Sequence, residues 1–299
     1  MTVTEPAAPS DPRGAEAPAD CASVGLVVVR PPGSFGLDPF WGELLGGMEE
    51  ALDRADRTVL LQIVADRDEE AATYRRWAAG RTIVGVLVGD IVADDPRGAL
   101  LDELGMPAVM LGDVDDPAHT VVQVDDFGAM RAAVEHLVDL GHRRIARVAG
   151  RPQLLHSQAR SRAFAATTAA AGITGRSVDG DYTPVSGAEL TRLLLEAAEP
   201  PTAIVYDNDV MAAAGLEVAV ARGLDVPGDL SLLAWDDSAI CRLAHPPLSA
   251  MRREVHDLGR IAAAAVLDAV AGRGRTVVHV SDATLVVRGT TAPPRPPAA

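Results

Sequence analysis

Short apolar runs in this chain are followed repeatedly by side chains that can bind or react. Asp38, Phe40 and Trp41 come after Val24–Val29, Asp66 and Asp68 after Val59–Val64, and Asp113 after Ala108–Leu111. Asn208 and Asp209 follow Ala203–Tyr206, and Trp235, Asp236 and Asp237 follow Leu230–Ala234. Arg160 falls in the first turn expected for a helix after Val148–Gly150. Carboxylates, an amide and a guanidinium supply acceptors and donors that can bracket vicinal hydroxyls, and a flat ring covers the apolar C–H face of a sugar. Taken singly, each has a plainer role: Asp126 and Asp209 as helix caps, Trp41 as core at helical spacing, Arg160 as a solvated helix charge. Their joint occurrence at one rim points to a polyhydroxylated ligand.

Other chemistries find less support. Adjacent acids (Asp125 and Asp126, Asp236 and Asp237) face opposite ways in extended chain, so neighbours seldom act on one atom. There is no GxSxG elbow, no HExxH and no GxGxxG after a strand. His136, His142 and His156 lack ligand spacing, and His142, following a helix stop, is expected at the surface rather than on a metal. Cys21 and Cys241 form no CxxC pair, so neither a disulfide framework nor a zinc site is expected. The 299 residues include no Lys; all 27 basic residues are Arg, against 42 acids, for a net charge of −15. This excludes a lysine Schiff base and a Lys-ending phosphate loop. The acidic balance also argues against these residues holding nucleic acid by themselves. The expectation is no enzyme, no cofactor and no metal.

The elements that position these residues alternate. Apolar, β-branched runs at Val24–Val29, Val59–Val64, Ile83–Val88, Ala108–Leu111, Ile145–Val148, Ala203–Tyr206 and Leu230–Ala234 suit strands covered on both faces, as in a parallel sheet. Between them Asp38-Pro39 opens a helix, Asp126 a second that stops at Gly141, and Asn208-Asp209 a third that closes at Gly223. A fourth runs from about His256 to Val270 and stops at Gly272. Such alternation gives doubly wound α/β layers, and the length favours two similar lobes over one. Residues 1–22, rich in Pro, Ala and acids, read as a disordered leader, and the end from Thr290 as a similar tail. No signal or membrane segment is visible, and a reduced cytoplasmic setting is expected.

Several segments resemble the lactose/galactose repressor (LacI/GalR) family of bacterial transcription regulators. They are Leu140-Gly-His-Arg-Arg-Ile-Ala-Arg-Val-Ala-Gly150, Pro201-Thr-Ala-Ile-Val-Tyr-Asp-Asn-Asp-Val-Met-Ala212 and Val226-Pro-Gly-Asp-Leu-Ser-Leu-Leu-Ala-Trp-Asp-Asp237. Pro246-Pro-Leu-Ser-Ala-Met-Arg252, the Leu258-Gly-Arg-Ile-Ala-Ala segment and Leu285-Val-Val-Arg288 continue the match, which spans about residues 23 to 292 in order. The resemblance implies an effector-sensing domain of two periplasmic-binding-protein-like lobes (type I) joined by three crossovers around a hinged cleft. The first lobe would be 23–150 plus 254–280, the second 151–253 plus 281–292, and 293–299 a tail. Carried over residue by residue, the ligand set would be Phe40, Asp113, Arg160, Tyr182, Asn208 and Asp236, with Tyr182 where sugar-sensing members carry a stacking ring. Where the family has Gly beside the aromatic after Arg160, this chain has Ala163; where it has Arg after the aspartate, this chain has Val114.

The implied partners are a small-molecule effector, a sugar first and a nucleoside-like compound second, and a second copy of the chain in a homodimer. Operator DNA is expected only through a helix-turn-helix head, which residues 1–22 do not resemble; no membrane is expected. A solute-binding protein of the same architecture with no DNA role is the alternative.

Overall fold

A computed structural model describes residues 23–30, 38–114 and 118–296. The leader 1–22, with Cys21, and residues 297–299 of the tail lie outside the described residues. In chain order the elements begin β1 (Ser23–Val29), α1 (Pro39–Asp53), β2 (Thr58–Val64), α2 (Arg67–Gly80), β3 (Ile83–Val88), α3 (Pro96–Glu103), β4 (Ala108–Leu111) and β5 (Thr120–Gln123). They continue with α4 (Asp126–Asp139), β6 (Arg144–Ala149), α5 (Leu155–Ala170), β7 (Thr174–Asp179), α6 (Pro184–Leu195), β8 (Ala203–Tyr206) and α7 (Asp209–Ala221). The last are β9 (Ser231–Asp236), α8 (Ala239–Leu243), β10 (Ser249–Arg252), α9 (Val255–Val270), β11 (Val277–His279) and β12 (Thr284–Val286).

Two six-stranded sheets result, in the orders β11-β5-β4-β3-β1-β2 and β12-β10-β9-β8-β6-β7. Every neighbouring pair is parallel except β10 and β12 at one edge. Both sheets are covered on both faces, as their unbroken apolar strands require. In the first lobe α1 and α9 bury Leu44, Met48, Leu258 and Val266 on one face, and Tyr74, Trp77 and Leu101 of α2 and α3 cover the other. In the second, α4 and α5 bury Met130, Leu137 and Phe164, while α6 and α7 bury Leu194, Met211 and Leu216 opposite. The α1–α9 crossing is close because both helices carry glycine there. A Cβ on Gly47 would lie 1.8 Å from the His256 carbonyl oxygen, and one on Gly259 2.0 Å from that of Leu44. No described helix is long and apolar enough to cross a membrane.

The chain passes between lobes three times: from Gln123 to Asp126, from Arg252 to Val255, and from His279 to Thr284. The first passage therefore precedes α4 rather than falling at residue 150. Helix α4 buries Ala129, Met130 and Val134 against Phe164 and Val205, and β6 lies between β7 and β8, so 126–150 belongs to the second lobe. The segment 290–296 is likewise tied to the second lobe rather than forming a disordered tail. Thr290 is buried; its hydroxyl donates to the Leu232 carbonyl at 2.7 Å and accepts from the Ser249 amide at 2.8 Å, and Arg295 pairs with Asp225 and Asp229. Threonine hydroxyls pin to the sheet a stretch that its prolines alone would leave without donors. His142 is likewise buried, held by the Thr202 hydroxyl at 2.9 Å and the Ala292 carbonyl at 3.0 Å.

Candidate functional site

Most helices after the strands start with capping side chains, and the caps of α1 and α7 stand at the rim. Asp38 accepts from the Phe40 amide at the start of α1, and Asn208 accepts from the Met211 amide at 2.9 Å at the start of α7. Each satisfies an otherwise unpaired N–H of a first helical turn. The caps of α4 and α7 are thus Asp125 and Asn208, not Asp126 and Asp209. Asp126 and Asp209 are left for other contacts.

Between the lobes lies a cleft of about 600 Å³, within the size range of small-molecule sites. Phe40, Arg160, Tyr182, Asn208 and Asp236 all line it. Asp113 is engaged elsewhere: Gln123 donates to its Oδ1 at 2.6 Å, and its neighbour Gly112 lines the cleft after β4. The ring of Phe40 lies 5.5 Å beneath the Arg253 guanidinium and edge-on to Trp41. Trp41 is core, 8% exposed, yet also forms part of the cleft wall. Tyr182, with φ of 72°, lies after β7, and its hydroxyl is 2.8 Å from His156 Nε2. Its ring passes directly over Gly150, where a Cβ would fall 1.9 Å from the hydroxyl oxygen. Asn208 Nδ2 donates to the Tyr182 carbonyl at 3.0 Å and to Asp38 Oδ2 across the cleft at 3.4 Å.

Arg160, in the second turn of α5, is 2% exposed and stacks 4.3 Å over Trp235. It is the centre of a ladder of alternating charges. Arg147 holds Asp207 at 2.5 Å; Arg160 donates to the Asp207 carbonyl at 3.0 Å and pairs with Asp126 at 2.7 Å. Asp126 then meets Arg253 at 3.5 Å, and Arg253 clasps Asp236 at 2.6 Å. Asp126 and Arg253 stand at the first and second passages between lobes, so the ladder ties hinge segments to the cleft floor. Burial pushes the Asp126 carboxyl up, but Arg160, then Arg253, outweigh it and hold it below the ordinary range. Burial likewise opposes, and Arg147 and Arg160 overcome it, at Asp207. Elsewhere the sign reverses. Burial raises Asp38, with Asp236 adding to it. Burial, then the nearby Asp236 and Asp38, carry Asp209 up to about 6 against its bond to Ser238. Burial and then Arg160 depress His156, favouring its neutral form.

Asp126, His156, Asp207 and Arg253 are site residues that the sequence reading did not select. The doubled acids offered a signal: where Asp125 caps, Asp126 is free to face inward. Among the described residues no group of three His, Cys, Asp or Glu side chains is placed to hold a metal ion.

A family model described as a periplasmic binding protein-like domain matches residues 134–291. The chain is 30% identical over 276 residues to the HTH-type transcriptional regulator CelR of Thermobifida fusca, covering 89% of this chain and 80% of that one. It is 27% identical over 264 residues to the HTH-type transcriptional repressor CytR of Escherichia coli, covering 85% and 76%. Among solved structures, it resembles a LacI family transcriptional regulator from Bifidobacterium animalis subsp. lactis with TM-score 0.84 and 35% identity, covering 92% of this chain and 100% of that one. It also resembles a complex of the regulator CelR with cellobiose, with TM-score 0.82, 28% identity and coverage of 90% and 84%.

Proposed function

Because this chain belongs to the LacI family of transcriptional regulators, we propose that its cleft is the effector site of such a regulator and that the effector is a sugar. The observation that carries this is a cleft faced from both sides: Asp38 and Phe40 from the first lobe, Arg160, Tyr182, Asn208 and Asp236 from the second. Acceptors and donors in alternation suit hydroxyls, and the rings of Phe40 and Tyr182 suit the C–H faces of a pyranose. The cellobiose bound to the CelR structure supports a saccharide in particular. A ligand touching both lobes binds the closed arrangement better than the open one, and only that difference shifts the equilibrium. Coupling of about 1–3 kcal/mol is typical between an effector site and a distant partner site. In this reading the lobes act as a homodimer in the cytoplasm and report to operator DNA through a head of the kind named for the relatives.

The test is a melting experiment with cellobiose, D-glucose, D-ribose and adenosine. A ligand at 100 times its dissociation constant adds about 2.7 kcal/mol of stability. A sugar that raises the melting midpoint and contracts the chain in small-angle scattering supports the reading. Stabilisation by adenosine alone replaces the sugar with a nucleoside, and no response to any of the four removes the sensor role.

A further inference from the structure

The charges on the cleft floor neutralise one another, and the Asp90 carboxylate stands outside them. Arg160, Asp126, Arg253, Asp236, Arg147 and Asp207 are matched in the ladder. Asp90, which follows β3 and lines the cleft from the first lobe, receives no hydrogen bond on its carboxylate among the described residues. Its backbone is held nonetheless. Asp90 has φ of 49°, a conformation that costs a non-glycine residue energy and needs support from its surroundings. That support comes from two guanidinium groups, the half-buried Arg67 and the buried Arg97, which donate to the Asp90 carbonyl at 2.6 and 3.1 Å. Arg97, 5% exposed, is itself fixed by Glu70 at 3.0 Å and Asp95 at 2.6 Å. The next residues bridge the lobes, since the Leu155 amide donates to the Ile91 carbonyl at 2.9 Å and Val92 pairs with Leu154. The Asp90 charge is felt at His156 and at Tyr182 on the facing lobe, where it works against proton loss.

We propose that Asp90, with the His156–Tyr182 pair opposite it, forms a hydroxyl-binding subsite that reads a vicinal diol of the effector. The free carboxylate accepts two hydroxyl protons. When Nε2–H of neutral His156 donates to Tyr182, the tyrosine proton is available to a third ligand oxygen. The buried Arg97–Glu70 clamp fixes the backbone that carries the carboxylate, so less ordering is left to be done on binding. This inference rests on the sugar-sensing reading above.

Its test uses Asp90→Gly, because glycine takes φ of 49° freely and removes only the side chain. Calorimetric titration compares the parent and variant with cellobiose, D-glucose, D-ribose and adenosine. For whichever probe the parent binds, affinity in Asp90→Gly should fall about ten- to a hundredfold, the range for a hydrogen bond to a charged group. Asp90→Asn, which keeps the volume and tolerates the same backbone, should fall less and melt like the parent; it carries the test if the glycine variant unfolds early. Affinity within about twofold of the parent in both variants overturns the subsite and leaves the sensor role standing. A parent that binds none of the four probes overturns both.

Discussion

The Asn208 amide of the second lobe stands 3.4 Å from the Asp38 carboxylate of the first, so the caps of α7 and α1 meet across the cleft. One residue therefore starts a helix and closes a gate. Asn208→Asp separates these tasks, because a carboxylate caps as well as an amide but faces Asp38 with like charge. The variant also loses the donor to the Tyr182 carbonyl, so it should melt about 1–3 kcal/mol below the parent and show a larger radius of gyration by small-angle scattering. Unchanged dimensions would mean that the bond does not bias closure.

Arg160→Ala should do more than empty a ligand contact. It leaves Asp126 and Asp207, both buried, short of a cation. Breaking such a pair costs about 3–5 kcal/mol, to be read from urea unfolding. Binding of the probe that the parent prefers should also be lost, and a variant as stable as the parent would remove Arg160 from its central place.

Gly150→Ala should mimic Tyr182→Ala, because the new methyl would occupy the place of the tyrosine hydroxyl. Each change is expected to weaken effector binding by about 1–2 kcal/mol if the ring stacks on the ligand. The double variant should lose little beyond either single change, since both act through one ring. Additive losses in the titration would show that the two positions act separately.

The Asp209 carboxyl is raised to about 6 in the folded chain, by burial and by Asp236 and Asp38, against about 3.9 when unfolded. Between those values the folded state holds a proton that the unfolded state has released, so stability falls as pH rises through about 4 to 6. Asp209→Asn removes this dependence. Guanidinium unfolding across the window should show the variant gaining on the parent by on the order of 1–2 kcal/mol as pH rises. A constant difference would contradict the assignment. Asp126 and Asp207, held low, act in the opposite direction at lower pH and cancel in the comparison.

Central strands and long amphipathic helices were visible in the sequence because burial on both faces, or on one stripe, leaves a periodic record. Ile83–Val88 and Ala203–Tyr206 coincide with their strands to the residue. The edge strand β7, Thr-Gly-Arg-Ser-Val-Asp, is mostly exposed and carries no such record, and β11 and β12 have three residues each. The rim was visible wherever a side chain follows a strand directly. Asp113 shows the limit: a shift of one position decides whether Gly112 or an acid faces the cleft, and the sequence holds nothing that sets the register at the end of a four-residue strand. Arg253 was hidden for a related reason. Of the pair Arg252 and Arg253, one side chain points to solvent, 49% exposed, and the other to Asp236. His142, beside a helix stop, gives no sign of its burial in the sequence because its partners Thr202 and Ala292 are remote along the chain.

The interleaving of the two sheets also governs how the molecule is made. A nascent chain that has reached residue 250 has emitted five strands of the first sheet and most of the second, yet has finished neither. The α1 stripe of Leu44, Met48 and Leu52 waits for α9, whose Val255, Leu258, Ala262 and Val266 cover it. Until α9 leaves the ribosome, that greasy surface stays bare, which makes the half-synthesised molecule a natural client for chaperones.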